Sequence, residues 1–246
     1  MHRLFVPPAA LQEPSVVISD EAFHHLSVLR LRVGDEVLLL DGCGHLARVV
    51  LRQTSRSTAQ AEVLERWEER ESLLPLRLLQ GLPKGEKFEW LLEKGVELGV
   101  SAFTPVLTAR SQQRGEKTAR WQRIIQEAAR QSRRPLLPIL EELQPLATAL
   151  TATTESLRLM LWEEGNIPLN SVLPPQAPAN CVLLVGPEGG FSAAEADAAV
   201  LAGFIPVSLG KRILRTETAG MAVAAVLQNR YGDFGTSSSG KDQDRC

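Results

Sequence analysis

The chain has 246 residues, of which 44% are hydrophobic and 23% charged, a balance that buries at least one core and excludes disordered, collagen-like and coiled-coil proteins. A formal net charge of -2 means that a polyanionic partner has to be met by a local basic patch, since the surface as a whole would repel it.

Up to about Arg70 the pattern is short and strand-like. Val16-Val17-Ile18-Ser19 is a short apolar run, and Ser19-Asp20 opens a short amphipathic helix through Leu26. Gly34-Asp35 begins a strand through Leu40, Asp41-Gly42 is a hairpin signal, and residues 45–51 and 60–64 supply two further strands. These pieces describe a small β-barrel or sandwich. Residues 65–71 are charged enough to read as a linker, and the rhythm then changes. A buried strand at 73–79 leads to a helix over 86–98 stopped by Gly99, a strand over 102–107, a long helix over 118–131, and strands at 157–162 and 181–185. Strands alternating with helices of this length predict parallel pairing and an open α/β sheet, with a domain division of 1–70 and 73–231. Residues 232–246 are Ser-, Gly- and Asp-rich and read as a disordered tail. Cys43, Cys181 and Cys246 match neither zinc nor disulfide spacing, so the expectation is buried or tail thiols in a reducing cytosol. Met1-His2-Arg3-Leu4-Phe5-Val6-Pro7-Pro8 reaches a proline pair before a targeting core can form. No apolar run approaches the roughly 20 residues of a membrane span, so the chain reads as soluble and cytoplasmic.

The chemistry is concentrated in two late segments. Val185-Gly186-Pro187-Glu188-Gly189-Gly190-Phe191-Ser192 follows an apolar strand and precedes an Ala-rich helix that Ser192 caps; its glycines let a ligand approach bare peptide groups at a strand's carboxyl end. A tight turn that needs glycine for its dihedrals alone is the equal alternative. The string matches neither the dinucleotide fingerprint nor the phosphate loop. The second segment, Ser208-Leu209-Gly210-Lys211-Arg212-Ile213-Leu214-Arg215-Thr216-Glu217-Thr218-Ala219, is again a strand end, a polar loop and an apolar helix. Two such loops one strand apart can form opposite walls of one pocket.

Together these two segments resemble the signature of the SPOUT methyltransferases, and within them the bacterial 16S ribosomal RNA uridine-N3 methyltransferases. Arg3-Leu4-Phe5-Val6, His24-His25-Leu26, Asp41-Gly42, Lys84-Gly85, Arg110-Ser111 and Glu127-Ala128-Ala129 fall in that family's order. Gln112-Gln113 and Glu93 depart from it. The resemblance implies a trefoil-knotted parallel α/β domain, an N-terminal PUA-like β-barrel that binds RNA, and a homodimer. It also implies S-adenosyl-L-methionine as cofactor, and 16S rRNA or the assembled 30S subunit as substrate. Carried over by position, Leu161, Gly186, Pro187, Glu188, Gly190, Leu209, Gly210, Ile213, Leu214, Glu217 and Thr218 would bind the cofactor. Methylation at N3 requires loss of the N3 proton, so Arg215 is assigned to the developing negative charge, and Glu188 either to the proton or to holding its loop through backbone amides.

Between residues 110 and 134 eight basic residues face two acidic ones, an electrostatic footprint for RNA phosphates. Arg3, Arg30, Arg32, Lys84, Lys87, Arg110, Arg114, Arg130 and Arg134 are the candidates, about half of the basic stretch being expected to touch RNA. His24 and His25 lack a third ligand nearby and read as packing or RNA contacts, not as a metal site. The rivals are a ribose 2'-O-methyltransferase of the same superfamily and a catalytically silent RNA-binding adaptor.

Overall fold

The computed structural model describes residues 1–71, 74–111 and 117–234; Arg114, Glu116 and the tail beyond 234 lie outside them. The chain clusters into two compact units, one of residues 1–71 with 125–137, the other of 72–124 with the chain from 138 onward. Residues 125–137 thus join the first unit, although their sequence position lies inside the stretch assigned to the second domain.

The first unit contains β1 (His2–Phe5), β2 (Ser15–Ile18), α1 (Asp20–Val28), β3 (Glu36–Leu40), β4 (His45–Thr54) and β5 (Ala59–Glu68), the strands forming one sheet in the order β1-β3-β4-β5-β2. Side chains alternate across it with period two. Val37, Leu39, Val49, Leu51, Ala59 and Ala61 share one buried cluster with Leu26 of α1, while Leu38, Leu40 and Leu46 form a second with Phe5 and Trp67 against them. Two register shifts in the β4–β5 ladder bend the long strands.

Three expectations change here. β5 runs through Glu68, so residues 65–68 are strand and not linker: Arg66 and Glu68 lie on exposed positions, while Glu65 and Trp67 are half-buried and Trp67 packs against the second cluster. Cys43 is exposed, not buried, because it sits in the β3–β4 connection. There Gly42 and Gly44 take φ of +75° and +101°, and the Asp41 carboxylate accepts the Cys43 and His45 amides at 2.7 and 3.1 Å. Finally, Ser19 flanks α1 without capping it; its hydroxyl donates to Asp20 instead.

The second unit contains β6 (Leu76–Gly81), α2 (Lys87–Glu97), β7 (Ala102–Leu107), the start of α3 (Thr118–Gln131), β8 (Ile139–Leu140), β9 (Gln144–Pro145) and α4 (Leu146–Thr151). It continues through β10 (Leu157–Leu161), β11 (Ile167–Pro168), α5 (Leu169–Val172), β12 (Cys181–Val185), α6 (Ala193–Leu201), β13 (Ile205–Ser208) and α7 (Thr216–Tyr231). Every ladder is parallel, in the order β11-β13-β10-β12-β6-β7-β8, with β9 beside β7. The central strands are buried on both faces, which is why β6, β10 and β12 read as nearly continuous apolar runs. Burial pushes the Cys181 thiol up to about 12, so it stays neutral.

α2 buries Phe88, Leu91, Leu92 and Val96 and ends before Gly99, whose φ of +77° stops the helix. Gly95 leaves room for the Phe103 ring, which a Cβ would approach to 2.6 Å. α7 packs on α2 and β12, and Gln228 donates to the Gly99 carbonyl at 3.1 Å. The chain therefore leaves β13, beyond β10, and returns past β12 to lie against α2. Among the described residues no helix is long and apolar enough to cross a membrane.

Candidate active site

Because the ladders are parallel, the carboxyl ends of β6, β10, β12 and β13 share one edge of the sheet, where ligands of open α/β folds bind. The loops over 186–190 and 209–215 leave from that edge. At their origin lies a buried polar seam. The Thr216 hydroxyl donates to the Gly186 carbonyl at 2.5 Å and accepts the Gln80 amide at 2.9 Å. Gln80, fully buried, also donates to Gly81 and Gly186 carbonyls. Gly81 carries no side chain because Pro187 occupies the space, its Cδ 2.6 Å from where a Cβ would stand. The ends of β6, β12 and α7 are thus fixed to one another by hydrogen bonds and by contact.

The first wall is held from outside as well. Gly190 adopts φ of +67° to turn the chain. Ser192 and Glu195 form a reciprocal capping box at the start of α6, and Glu195 also accepts the Ala109 amide at 2.6 Å. Arg110 donates to the Gly189 carbonyl at 2.5 Å, so this arginine braces the loop. On the second wall Gly210 takes φ of +100° with open space beside its Cα, Leu209 and Leu214 are half-buried, and Ile213 is 85% exposed. Leu161 and Pro187 are buried, and Thr218 is exposed. Arg215 is exposed at the N-cap of α7.

Two carboxylates face one ammonium. Lys87 Nζ lies 3.0 Å from Glu188 Oε1 and 3.5 Å from Glu217 Oε2, and the Lys84 amide donates to both Glu188 oxygens at 3.1 and 3.2 Å. Partial burial pushes the Glu188 carboxyl up, but the bonds from Lys87 and the Lys84 amide outweigh it and hold it below its ordinary 4.5. The Glu188 hydrogen bond likewise raises Lys87 above 10.5. The Glu188 carboxylate is thus engaged by a backbone amide and by an ammonium. The sign of the linkage follows. Stability from the lowered Glu188 is present above 4.5 and lost as pH falls through its folded value, whereas that from the raised Lys87 is lost only as pH rises past its own. Glu188→Gln should lower the melting temperature between about pH 6 and about pH 9 and lose that difference progressively as pH falls below 4.5 through the folded value, as calorimetric melts of the two proteins across pH would measure.

The RNA candidates separate. Arg134 is buried, with Nε and Nη2 at 2.8 and 2.5 Å from the Glu71 carboxylate, which removes it from any phosphate-binding face. Arg130 is held by Glu127 and His25, and burial together with Arg130 lowers the His25 pKa, leaving that ring neutral. Lys117 and Arg120 pair with Glu89, Arg3 donates to the Arg133 carbonyl, and Lys87 and Arg110 belong to the cleft as described. Arg30, Arg32 and the Lys84 ammonium are exposed, as are Lys211 and Arg212 beside Arg215, two cations the sequence reading passed over. Gln80 and Thr216 were also missed; a lone Gln ending the run Leu76-Arg77-Leu78-Leu79 was the available signal for the first.

The cleft suits a compact ligand that offers hydrogen-bonding edges to peptide groups and a positive charge to carboxylates: its glycine-lined loops are bare backbone, and Glu217 Oε2 is buried without a hydrogen bond. Such a site on a parallel sheet, in a chain that also carries a small β unit, defines the class. Residues 69–228 match the model of the RNA methyltransferase domain, and residues 18–64 that of the RNA methyltransferase PUA domain. Ribosomal RNA small subunit methyltransferase E of Synechocystis is 41% identical over 232 residues, 89% of this chain and 74% of that one. Its namesake in Bacillus subtilis is 33% identical, covering 89% and 93%. The crystal structure of the namesake from Neisseria gonorrhoeae, bound to S-adenosyl methionine, aligns with a TM-score of 0.88 at 35% identity over 95% of this chain and 99% of its own. The chain belongs to the ribosomal RNA small subunit methyltransferase E family.

Proposed function

We propose that this chain transfers the methyl group of S-adenosyl-L-methionine to N3 of a uridine in 16S ribosomal RNA, working in the cytoplasm as a knotted homodimer on the RNA or the 30S subunit. The observation that carries the reading is the Thr216–Gly186 hydrogen bond, which ties the two glycine loops together at one sheet edge. The cofactor supplies an electrophilic methyl on a sulfonium. The peptide groups of 186–190 and 209–214, together with Leu161, Pro187 and Thr218, would hold the nucleoside. The paired acids and Lys87 carry a summed charge of -1 that favours a cationic guest. Arg215 would stabilise the anion that uracil becomes as N3 gives its proton to solvent. The adaptor reading has no use for such a seam.

The test is methyl transfer from labelled cofactor to 30S particles taken from cells lacking the modification, with the product mapped by mass spectrometry. N3-methyluridine is the expected product. Label on a ribose 2'-hydroxyl would overturn the regiochemistry, and absence of both transfer and S-adenosylhomocysteine binding would favour the adaptor.

A further inference from the structure

We propose that Lys87 is a positioning residue that clamps the two walls of the cofactor cleft. Its sequence context, beside Lys84 in a basic family of residues, had suggested a phosphate contact. The structure gives its ammonium different company. Nζ sits between Glu188 of the first wall and Glu217 of the second, and the Lys87 and Glu188 side chains are about one-third exposed while that of Glu217 is 15% exposed. A fully solvated ion pair would contribute little. Here one of the two carboxylates, Glu217, has an oxygen that is buried and without a hydrogen bond, and the Lys87 ammonium stands 3.5 Å from that oxygen.

Lys87 is also the first residue of α2, and the amide of Lys84, three residues before it, donates to both oxygens of the same Glu188 carboxylate. The first wall is therefore fastened to the start of α2 through a backbone donor and a side-chain donor. The second wall is fastened through the same side chain. Removing the ammonium leaves two carboxylates facing each other across the cleft with no counter-charge, and like charges so placed push apart. The seam of Gln80 and Thr216 fixes where the walls begin; Lys87 fixes how far apart their acidic faces stand. An ammonium engaged by two acids in this way is poorly available to a phosphate, in contrast to that of Lys84, which is exposed and has no side-chain partner among the described residues.

The inference rests on the cofactor reading above and is tested separately from it. S-adenosylhomocysteine is titrated calorimetrically into the wild type, Lys87→Met, Lys87→Arg, Glu188→Gln and the Lys87→Met/Glu188→Gln double variant. Binding of a 16S RNA transcript is measured across salt concentrations, with Lys84→Met for comparison. Lys87→Met should weaken S-adenosylhomocysteine about tenfold, Lys87→Arg should recover part of that loss, and the double variant should fall short of the sum of the two single losses because the groups act on each other. The salt slope of RNA binding should be unchanged in Lys87→Met and smaller by about one in Lys84→Met. A slope reduced by about one in Lys87→Met, with nucleoside affinity unchanged, would overturn the clamp and restore the phosphate contact. Additive losses in the double variant would overturn it too. A wild type that binds no S-adenosylhomocysteine would sink the cofactor reading itself, a result distinct from a wild type and a Lys87→Met that bind equally well.

Discussion

Gly81→Ala is expected to cost about 2–3 kcal/mol of folding stability and to weaken S-adenosylhomocysteine binding by more than tenfold. The new Cβ would stand 2.6 Å from Pro187 Cδ, 2.7 Å from Pro187 N and 3.0 Å from Gly186 C. Two of these atoms are backbone and the third belongs to a ring, so no rotamer change relieves the overlap. The first wall cannot simply swing away, because the Gly186 carbonyl is held by Thr216 and Gln80. On the other side, the Leu82 amide holds β6 to Val106. What yields is the position of the loop itself, and with it the peptide groups facing the ligand. Gly210→Ala makes the contrast: nothing lies within 4 Å of its new Cβ, and only the φ of +100° is unfavourable, a strain of about 1 kcal/mol. Urea unfolding and calorimetry on both variants separate steric from conformational cost. A Gly81→Ala protein that unfolds and binds like the wild type would show that Pro187 does not pack there.

The difference between these two glycines marks what could be read in advance. A glycine after a strand signals a turn, and the sequence places both loops at strand ends correctly because β12 and β13 are short apolar runs bounded by Gly and Ser. That Gly81 is required by a proline more than a hundred residues later is a tertiary fact, invisible to any local pattern. The same holds for β1, whose four residues pair in parallel with β3 and carry no turn signal, and for the two-residue strands β8, β9 and β11, too short to show a period. Charge was the least legible quantity. The basic stretch from 110 to 134 was counted correctly, yet Arg134 turned inward to Glu71 and Lys117 and Arg120 met Glu89. Formal charge is a property of sequence, whereas free charge depends on which acids the fold brings near. Lys87 and Glu188 show the same thing: residues expected as an RNA cation and as a proton acceptor or loop-holding group are, in the folded chain, 3.0 Å from one another.

With Lys87 and Glu188 paired, Arg215 is the residue whose removal should affect the chemical step most. It occupies the N-cap of α7, and its carbonyl accepts the Thr218 and Ala219 amides at 2.9 Å each, which fixes the backbone from which the side chain extends. The guanidinium is exposed and has no side-chain partner among the described residues, so it is available to a substrate in a way that Arg110, Arg130 and Arg134 are not. The helix terminus beneath it adds a partial positive charge of the same sign. An anion forming on uracil during loss of the N3 proton would meet both. Arg215→Ala should lower kcat about 10²–10³-fold, the cost of losing one donor aimed at developing charge, while S-adenosylhomocysteine affinity stays within about twofold because no peptide group of the cradle moves. Arg215→Lys should recover only part of the rate, since a point charge lacks the planar fork. The rate of Arg215→Ala should also climb more steeply with pH than that of the wild type, because solvent hydroxide then ionises the base that the guanidinium no longer stabilises. Single-turnover transfer to 30S particles, run beside calorimetry on the same proteins, measures each quantity. Equal losses in rate and in nucleoside affinity would move Arg215 out of the chemistry and into the wall.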